Sequence, residues 1–461
     1  MNSNMLFKRY YLGCLAQASY MIGDAGKAVV IDPQRDVEHY IEDAKAAGFD
    51  IVGIIETHLH ADFVSGHVEL GQRTGATIYV SHLAKAEYEH NGVRQGDIVE
   101  LGRLTLKFLE TPGHTPESIS ILASVDGTAT YLFSGDMLFI GEVGRPDLVG
   151  WRGHSREEMA HDMYRSLKNQ VLPLPDSVEI WPAHGAGSTC GKAISDEPSA
   201  PLGRQRTENW GLKVVSGGDE AGFVRILTEG LPAIPAYFPH DVLTNRMGAS
   251  TVAEATSKTR ACSPSDFETL ATQDVHVIDV RDAGEFAAGH IRGAINVPLN
   301  GNFAPWLGAV VPTGKRYIVV APEGGELEAL VRMARVGYDS VEGYLEGGFE
   351  AWQAAGKPTQ VLEEITAEEL RRYGKVQVLD VRSSGEFEAG HIDGAINISL
   401  LELNAKVAEA PSGRVVVNCH SGYRSSIACS VLQAAGHTDV VNLVGGWVAW
   451  QEGAMPQAAG K

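Results

Sequence analysis

The chain has 461 residues, enough for about three domains. Its 44% hydrophobic and 21% charged residues are typical of a globular protein with sizeable cores, and a net charge of −20 argues against bulk binding to nucleic acid or anionic membranes. No apolar run approaches a membrane span, and residues 1–9 hold no signal-peptide core. The five cysteines are odd in number and scattered, so we expect a cytoplasmic protein with free thiols.

The first predicted elements are a hairpin, a helix and a short buried strand. Strands over 19–23 and 28–32 flank a turn, and a helix includes residues 44–47. The run over 51–55 is β-branched and too short for a helix, so it predicts a buried strand. A second helix begins near Ser65 and ends at Gly75.

Four loops carry histidine or aspartate just after a predicted strand. These strands lie over 51–55, 106–109, 130–133 and 178–181, and the loop residues are His58, His60, Asp62, His114, Asp136 and His184. One such histidine would be read as structural, but four loops together indicate a metal site on a rigid base. Two imidazoles and a carboxylate suit non-haem Fe(II), and zinc accepts the same ligands. Spacing alone does not separate the metal ligands from the groups around them.

The chain loses periodicity from about 240 to 262, where residues 245–251 predict a linker or domain edge, and then repeats itself. Asp-Val-Arg occurs at 279–281 and at 380–382, each followed by Gly-His-Ile-x-Gly-Ala and later by a Gly-Gly-aromatic turn. Each copy has about 100 residues of alternating strand and helix signals. The repeats therefore predict two small α/β domains.

The second copy carries a cysteine in a tight loop between a strand over 415–417 and a helix over 426–435. The loop reads Cys419, His420, Ser421, Gly422, Tyr423, Arg424, Ser425. Backbone N–H groups, the helix dipole and the arginine favour an anionic sulfur at the cysteine. The first copy has Ala321 at this position, with Glu323 and Glu326 in its loop. It cannot form a persulfide, so we expect an inactive spacer or docking domain.

The first segment resembles the metallo-β-lactamase superfamily, whose His-x-His-x-Asp-His motif stands here with Phe63 in place of the last histidine. The lost ligand argues for a single metal. The stretches His-Ala-Asp-Phe-Val-Ser-Gly at 60–66, Thr-Pro-Gly-His-Thr at 111–115 and Ser-Gly-Asp at 134–136 make residues 5–245 similar to persulfide dioxygenases.

This resemblance implies one Fe(II) per chain, with zinc as the alternative. The implied ligands are His58, His114 and Asp136, and the implied groups that orient them are His60, Asp62 and His184. Arg145 has two interpretations: it forms a surface salt bridge, or it supports the loop under Asp136 or binds an anionic substrate.

The region over 364–455 resembles rhodaneses, the sulfurtransferases, through Asp-Val-Arg, Gly-His-Ile-x-Gly-Ala and Cys-x-x-Gly-x-Arg-Ser. The resemblance implies that Cys419 is the nucleophile that carries sulfur as a persulfide. It also implies that the rest of the loop, from His420 to Ser425, binds the sulfur substrate.

We therefore expect an α/β multidomain enzyme. Its predicted domains are an αββα metallo-β-lactamase domain over 1–245, a rhodanese-like domain without the cysteine over 262–358 and an active rhodanese domain over 364–461. The predicted activity is oxidation of a small-thiol persulfide by O2 to sulfite and thiol, in sulfide detoxification. It is coupled to sulfur transfer that uses or forms thiosulfate.

The predicted carrier is glutathione, coenzyme A or a similar thiol, and we expect a homo-oligomer. One alternative function is a zinc-dependent thioester hydrolase of the glyoxalase II kind, and a second is a non-catalytic sulfur-sensing or scaffold protein whose rhodanese modules bind partners. Cys14, placed before the first predicted strand, and Cys190 are predicted to be buried and inert, although Cys190 could also serve as a thiol relay near the metal.

Overall fold

A computed structural model of the chain describes residues 5–453. Residues 1–4 and 454–461, which fall in the first and last predicted domains, lie outside the described part. The chain divides into two compact units, Met1–Glu254 with Ala334–Gly337, and Ala255–Met333 with Tyr338–Lys461. Within residues 5–453, no helix has both the length and the apolar character needed to cross a membrane.

In the first unit, most strands precede residue 136 and most helices follow it. Its strands are β1 (Leu6–Leu12), β2 (Gln17–Asp24), β3 (Lys27–Ile31), β4 (Asp50–Ile55), β5 (Thr77–Ser81), β6 (Asn91–Val93), β7 (Ile98–Leu101), β8 (Leu104–Glu110), β9 (Ile119–Val125), β10 (Thr128–Gly135), β11 (Glu179–Pro182) and β12 (Ala200–Pro201). Its helices are α1 (Glu38–Ala47), α2 (His67–Thr74), α3 (Arg156–Ser166), α4 (Leu202–Glu208), α5 (Trp210–Gly217), α6 (Glu220–Thr228) and α7 (Phe238–Met247), and α8 (Val252–Ser257) follows.

These strands form two stacked six-stranded sheets. Their orders are β1-β2-β3-β4-β5-β6 and β12-β11-β10-β9-β8-β7. Apolar side chains of both sheets, including Tyr20, Ile31, Phe108 and Phe133, fill the space between them. Helices α1 and α2 cover the outer face of the first sheet, and α3, α5 and α6 cover that of the second. The predicted αββα sandwich is confirmed.

The second unit contains two rhodanese-type halves, each with a five-stranded parallel sheet. The strands are β13 (Arg260–Cys262), β14 (His276–Asp279), β15 (Ile295–Asn296), β16 (Tyr317–Val320), β17 (Val341–Leu345), β18 (Glu363–Ile365), β19 (Gln377–Asp380), β20 (Ile396–Asn397), β21 (Val415–Asn418) and β22 (Val440–Leu443). The helices are α9 (Pro264–Ala271), α10 (Ala283–Ala288), α11 (Phe303–Val310), α12 (Glu326–Ala334), α13 (Gly348–Ala354), α14 (Ala367–Arg372), α15 (Ser384–Glu388), α16 (Tyr423–Ala434) and α17 (Gly446–Glu452). The sheet orders β13-β17-β16-β14-β15 and β18-β22-β21-β19-β20 are equivalent.

The Asp-Val-Arg motif, which occurs in both halves, forms a buried ion pair in each. Arg281 pairs with Asp279 at 2.5 Å and Arg382 pairs with Asp380 at 2.7 Å, and all four side chains are buried. Removing one partner of such a buried pair leaves an uncompensated charge, which is strongly destabilising. The shared sequence therefore supports the common fold.

Residues 245–251, predicted as a linker or domain edge, precede the boundary between the two units at Glu254. The chain around them is helical in α7 and α8, because Phe238 and Val242 are buried by tertiary packing without a 3.6-residue stripe.

Two predictions about local structure are wrong. Cys14 lies between β1 and β2 and is only partly buried, since β1 is a half-exposed edge strand with little apolar alternation. Helix α16 begins at Tyr423 rather than at 426, because Gly422, with φ of 103°, ends the loop early.

Candidate metal centre and sulfur-carrying loop

Strand ends bring the predicted metal ligands together. His58 follows β4, His114 follows β8 and Asp136 follows β10. All three side chains are buried, and their ligand atoms lie within 4.8 Å of one another. His184 follows β11, which runs parallel to β10, so His184 and Asp136 leave the sheet at the same edge.

The hydrogen bonds of the two histidines fix their tautomers. Nδ1 of His58 lies 2.9 Å from the Thr57 hydroxyl, which itself donates to Asp32 at 2.8 Å and therefore accepts from the ring. Nδ1–H of His114 donates to the carbonyl oxygen of Arg145 at 3.0 Å. Burial lowers the pKa of both imidazoles and keeps them neutral. Each ring therefore keeps an Nε2 lone pair for a metal ion.

Asp136 completes a donor set that fits a metal ion. Its Oδ2 atom lies 3.8 Å from Nε2 of His58 and 3.4 Å from Nε2 of His114. Oδ2 and the His58 Nε2 are buried and have no hydrogen-bond partner. Buried polar atoms without a partner are costly, so facing donors of this kind indicate a missing ligand. Two imidazoles and one carboxylate match a mononuclear non-haem iron site, and zinc also accepts them.

His60 lies outside this donor set. Its Nε2 atom is 3.1 Å from Asp32 and 3.6 Å from Glu56, and its ring packs against Phe63 with 4.4 Å between centroids. Burial raises the pKa of Glu56. Asp32 and Glu56 were not predicted from the sequence, although Asp32 directly follows β3 and so repeats the pattern of the other strand-end loops.

His184 bridges two carboxylates. Its Nδ1 atom lies 2.7 Å from Asp136 and its Nε2 atom lies 2.8 Å from Asp62. Burial alone would lower the pKa of His184, but the carboxylates of Asp136 and Asp62 outweigh it and hold the pKa well above its usual range. The ring thus contacts one oxygen of each carboxylate and leaves Oδ2 of Asp136 for a metal.

Cys190 is buried beside this bridge. Its sulfur lies within 4.8 Å of ligand atoms of Asp62 and His184. Burial is the main cause that raises the pKa of the Cys190 thiol well above its usual range, and the negative charges of Asp62 and Asp136 raise it further. Sequence spacing had placed Cys190 only near the end of the His184 loop.

Arg145 ties the ligand loops together. Its side chain is buried, which excludes the interpretation as a surface salt bridge. The guanidinium contacts Asp147 at 2.7 and 2.8 Å and the Thr189 carbonyl at 3.1 Å. The main-chain N–H of Arg145 donates to the Cys190 carbonyl at 3.0 Å. Since the main-chain carbonyl of Arg145 accepts from His114, Arg145 supports this predicted metal ligand. Its contact with substrate stays a prediction.

The cysteine loop of the second unit holds a buried sulfur. Cys419 follows β21, and its Sγ accepts from the Gly422 N–H at 3.1 Å and lies 3.5 Å from the Ser425 hydroxyl. A Cβ on Gly446, which has φ of 54°, would meet the Cys419 carbonyl oxygen at 2.4 Å, so the Gly-Gly turn must pack directly on the loop. The Gly422 N–H and the Ser425 hydroxyl are thus two donors of the loop that face the sulfur.

The other predicted loop residues have different surroundings. His420 and Ser421 are exposed, while Tyr423 is half-buried. Arg424, expected to add charge to the loop, makes hydrogen bonds of 2.7 and 2.8 Å to Glu386. Glu386 belongs to the repeated sequence, but nothing in the sequence identified it as the partner of Arg424.

The first copy lacks the thiol at the equivalent position. Ala321 follows β16 as Cys419 follows β21, and β16 lies between β14 and β17 as β21 lies between β19 and β22. Ala321 is buried, and the loop behind it carries Glu323 and Glu326. The middle domain therefore offers no nucleophile at this place.

Two family models match the chain. The model of the metallo-beta-lactamase superfamily matches residues 12–184, and that of the rhodanese-like domain matches residues 263–355 and 365–453.

Curated relatives are similar to the first domain. The persulfide dioxygenase ETHE1 of Mus musculus is 30% identical over 172 residues, which cover 36% of this chain and 63% of the relative. A hydroxyacylglutathione hydrolase of Polaromonas is 30% identical over 186 residues, which cover 39% of this chain and 66% of the relative. The chain thus spans less than two thirds of the length of these relatives.

A solved structure is similar over a longer stretch. A metallo-beta-lactamase from Staphylococcus aureus is 34% identical with a TM-score of 0.64, covering 74% of this chain and 98% of its own.

Proposed function

The chain belongs to the metallo-β-lactamase superfamily and continues into two rhodanese-like domains, and from this premise we propose that it is a persulfide dioxygenase coupled to a sulfurtransferase. The dioxygenase would convert a small-thiol persulfide, O2 and water into the thiol and sulfite. Glutathione and coenzyme A are the proposed carriers. The five cysteines are free, which supports a reducing compartment such as the cytoplasm.

One observation supports the first activity most strongly: the converging donor atoms of His58, His114 and Asp136. Their protons and hydrogen bonds are arranged so that two Nε2 atoms and one Oδ2 atom remain for a metal. Bound iron would supply O2 activation at this set. Phe63 replaces the histidine that a second metal of this superfamily would need, so we propose one iron per chain.

The surrounding residues have distinct tasks in this proposal. Thr57 and the Arg145 carbonyl hold the two imidazoles in the metal-binding tautomer. His184 holds Asp136 by one oxygen only. Phe63 and the buried wall around the site exclude water, which protects a persulfide from side reactions.

The second activity uses Cys419. Its thiolate would attack the outer sulfur of thiosulfate; the S–S bond breaks, the electron pair leaves with sulfite, and Cys419 becomes a persulfide. The N–H of Gly422 lies 3.1 Å from Sγ and would stabilise the anionic sulfur. The reverse transfer to sulfite would form thiosulfate, and both directions need the same loop.

The test uses iron-quantified protein given glutathione persulfide in air. We expect sulfite from the wild type, none from His114→Ala, and conversion of sulfite to thiosulfate only when Cys419 is present. Cys419→Ser should therefore release sulfite without thiosulfate. Iron-loaded wild-type protein that forms neither product would contradict the proposal.

A second candidate is a zinc-dependent thioester hydrolase, which the similarity to hydroxyacylglutathione hydrolases supports. Two features count against it. Phe63 removes a ligand for the second metal, and His184 uses both ring nitrogens on carboxylates. Hydrolysis of S-lactoylglutathione by zinc-loaded protein, with no product from persulfide, would favour this candidate.

A further inference from the structure

The middle domain, which has Ala321 in place of the loop cysteine, packs directly against α16, the helix that follows the Cys419 loop in the same unit. Helix α16 contacts the edge strand β15. The buried N–H of Asn296 donates to the Ser430 hydroxyl at 2.9 Å. The middle domain therefore touches the same helix whose first turn follows Cys419.

This contact extends to Tyr423, the first residue of α16. Its hydroxyl donates to the Pro298 carbonyl at 3.2 Å. A Cβ on Gly301, which has φ of 85°, would lie 3.4 Å from the Tyr423 ring, so the loop over 298–301 covers this side chain closely. A wall of the cysteine loop is thus built from the neighbouring domain.

Arg332 of the middle domain lies close to Tyr423. Arg332 on α12 donates to the Leu299 carbonyl, one residue from the carbonyl that Tyr423 uses. Burial raises the pKa of Tyr423, and the charge of Arg332 opposes that shift, as expected for close neighbours. The Arg332 side chain is 24% exposed, so it can meet a solute.

The charges around the Cys419 loop indicate a role for Arg332. Arg424 bonds both oxygens of Glu386, which neutralises part of the charge that it presents to an incoming anion. Arg332 pairs with Glu328 at 2.7 Å, but Glu328 is 57% exposed, and such a pair is screened and readily exchanged. Thiosulfate and sulfite are dianions, so a second cation beside Arg424 would strengthen their attraction to the loop.

We propose that Arg332 of the middle domain is a specificity-determining residue of the Cys419 site, where it favours dianionic sulfur donors and acceptors. The proposal rests on the sulfur transfer proposed above. It gives the middle domain a role in the reaction of its neighbour, although its own loop has Ala321 in place of the cysteine.

The test is steady-state transfer from thiosulfate to cyanide by the full chain. Thiosulfate gives its outer sulfur to Cys419 and leaves as sulfite, and cyanide then removes that sulfur as thiocyanate. We expect Arg332→Gln to raise the thiosulfate KM about fivefold with kcat unchanged, which is the effect of losing one partly solvated charge. The KM of this variant should also depend less on salt.

Two matched variants keep the test decisive. Arg332→Lys retains the charge and should keep most of the affinity, whereas Arg316→Gln removes a 45% exposed arginine of the same domain and should change nothing. An unchanged KM in Arg332→Gln, or equal losses in the Gln and Lys variants, would overturn the charge role. Wild-type protein that forms no thiocyanate would overturn the sulfur transfer itself, and with it the role of Arg332.

Discussion

Nδ1 of His184 lies 2.7 Å from Oδ1 of Asp136, and this contact decides which oxygen of Asp136 is left for a metal. The opposite ring nitrogen is held by Asp62 at 2.8 Å. Because the ring is clamped on both sides, the Asp136 carboxylate cannot turn freely. We therefore propose that His184 is a positioning residue for the candidate metal centre.

His184→Asn should weaken iron binding about 10- to 100-fold, because a ligand that loses its outer hydrogen bond is poorly oriented. The measurement is the iron retained against a graded chelator. His161→Asn is the matched control, since His161 pairs with Glu220 in an exposed position. Equal iron retention in His184→Asn and wild type would contradict the positioning role.

Thr57→Val should also weaken iron binding, by about tenfold. The variant removes the hydroxyl that accepts from Nδ1 of His58 and donates to Asp32. Thr57→Ser keeps the hydroxyl and should bind iron like the wild type. If both variants bind equally, the tautomer of His58 is set by something other than Thr57.

How much of the metal centre is predictable from the sequence depends on the kind of contact. His58, His114 and Asp136 follow strands whose apolar patterns are clear, so their convergence could be predicted. The contacts of Thr57 and His184 depend on side-chain directions across two sheets, which no spacing encodes. Arg145 shows the same limit, since its burial comes from tertiary packing around the loop.

Glu386→Gln should release Arg424 toward the cysteine loop. Glutamine keeps the capping box with Ser383 but lacks the charge that holds the guanidinium. We expect faster alkylation of Cys419 and a lower thiosulfate KM, each by about two- to fivefold. Glu388→Gln, on the same helix, is the control. Alkylation as slow as in the wild type would show that Arg424 stays withdrawn for another reason.

The ion pair between Arg424 and Glu386 should make the free energy of unfolding depend on pH. The hydrogen bonds from Arg424 lower the pKa of Glu386 from 4.5 to about 2. Because the folded pKa is the lower one, this contribution is present above pH 4.5 and is lost as pH falls toward 2. The difference in melting temperature between wild type and Glu386→Gln should shrink across this range. A difference that is constant from neutral pH down to about pH 3 would contradict the assignment.

The repeat illustrates what sequence comparison can and cannot give. It predicted two rhodanese-type halves, whose fold is confirmed, and Ala321 in place of the loop cysteine. It could not show that the shared Asp-x-Arg motif is a buried structural pair, since conserved fold and conserved chemistry look alike in a sequence. Nor could it show that Pro298 and Tyr423 meet, because that contact joins the two copies.

The most direct test is oxygen uptake against bound iron, measured on full-length protein purified without oxygen and given glutathione persulfide. We expect oxygen uptake in proportion to bound iron, no uptake by zinc-loaded protein and no uptake by His114→Ala. Fully iron-loaded wild-type protein that consumes no oxygen, or zinc-loaded protein that consumes as much, would contradict this expectation.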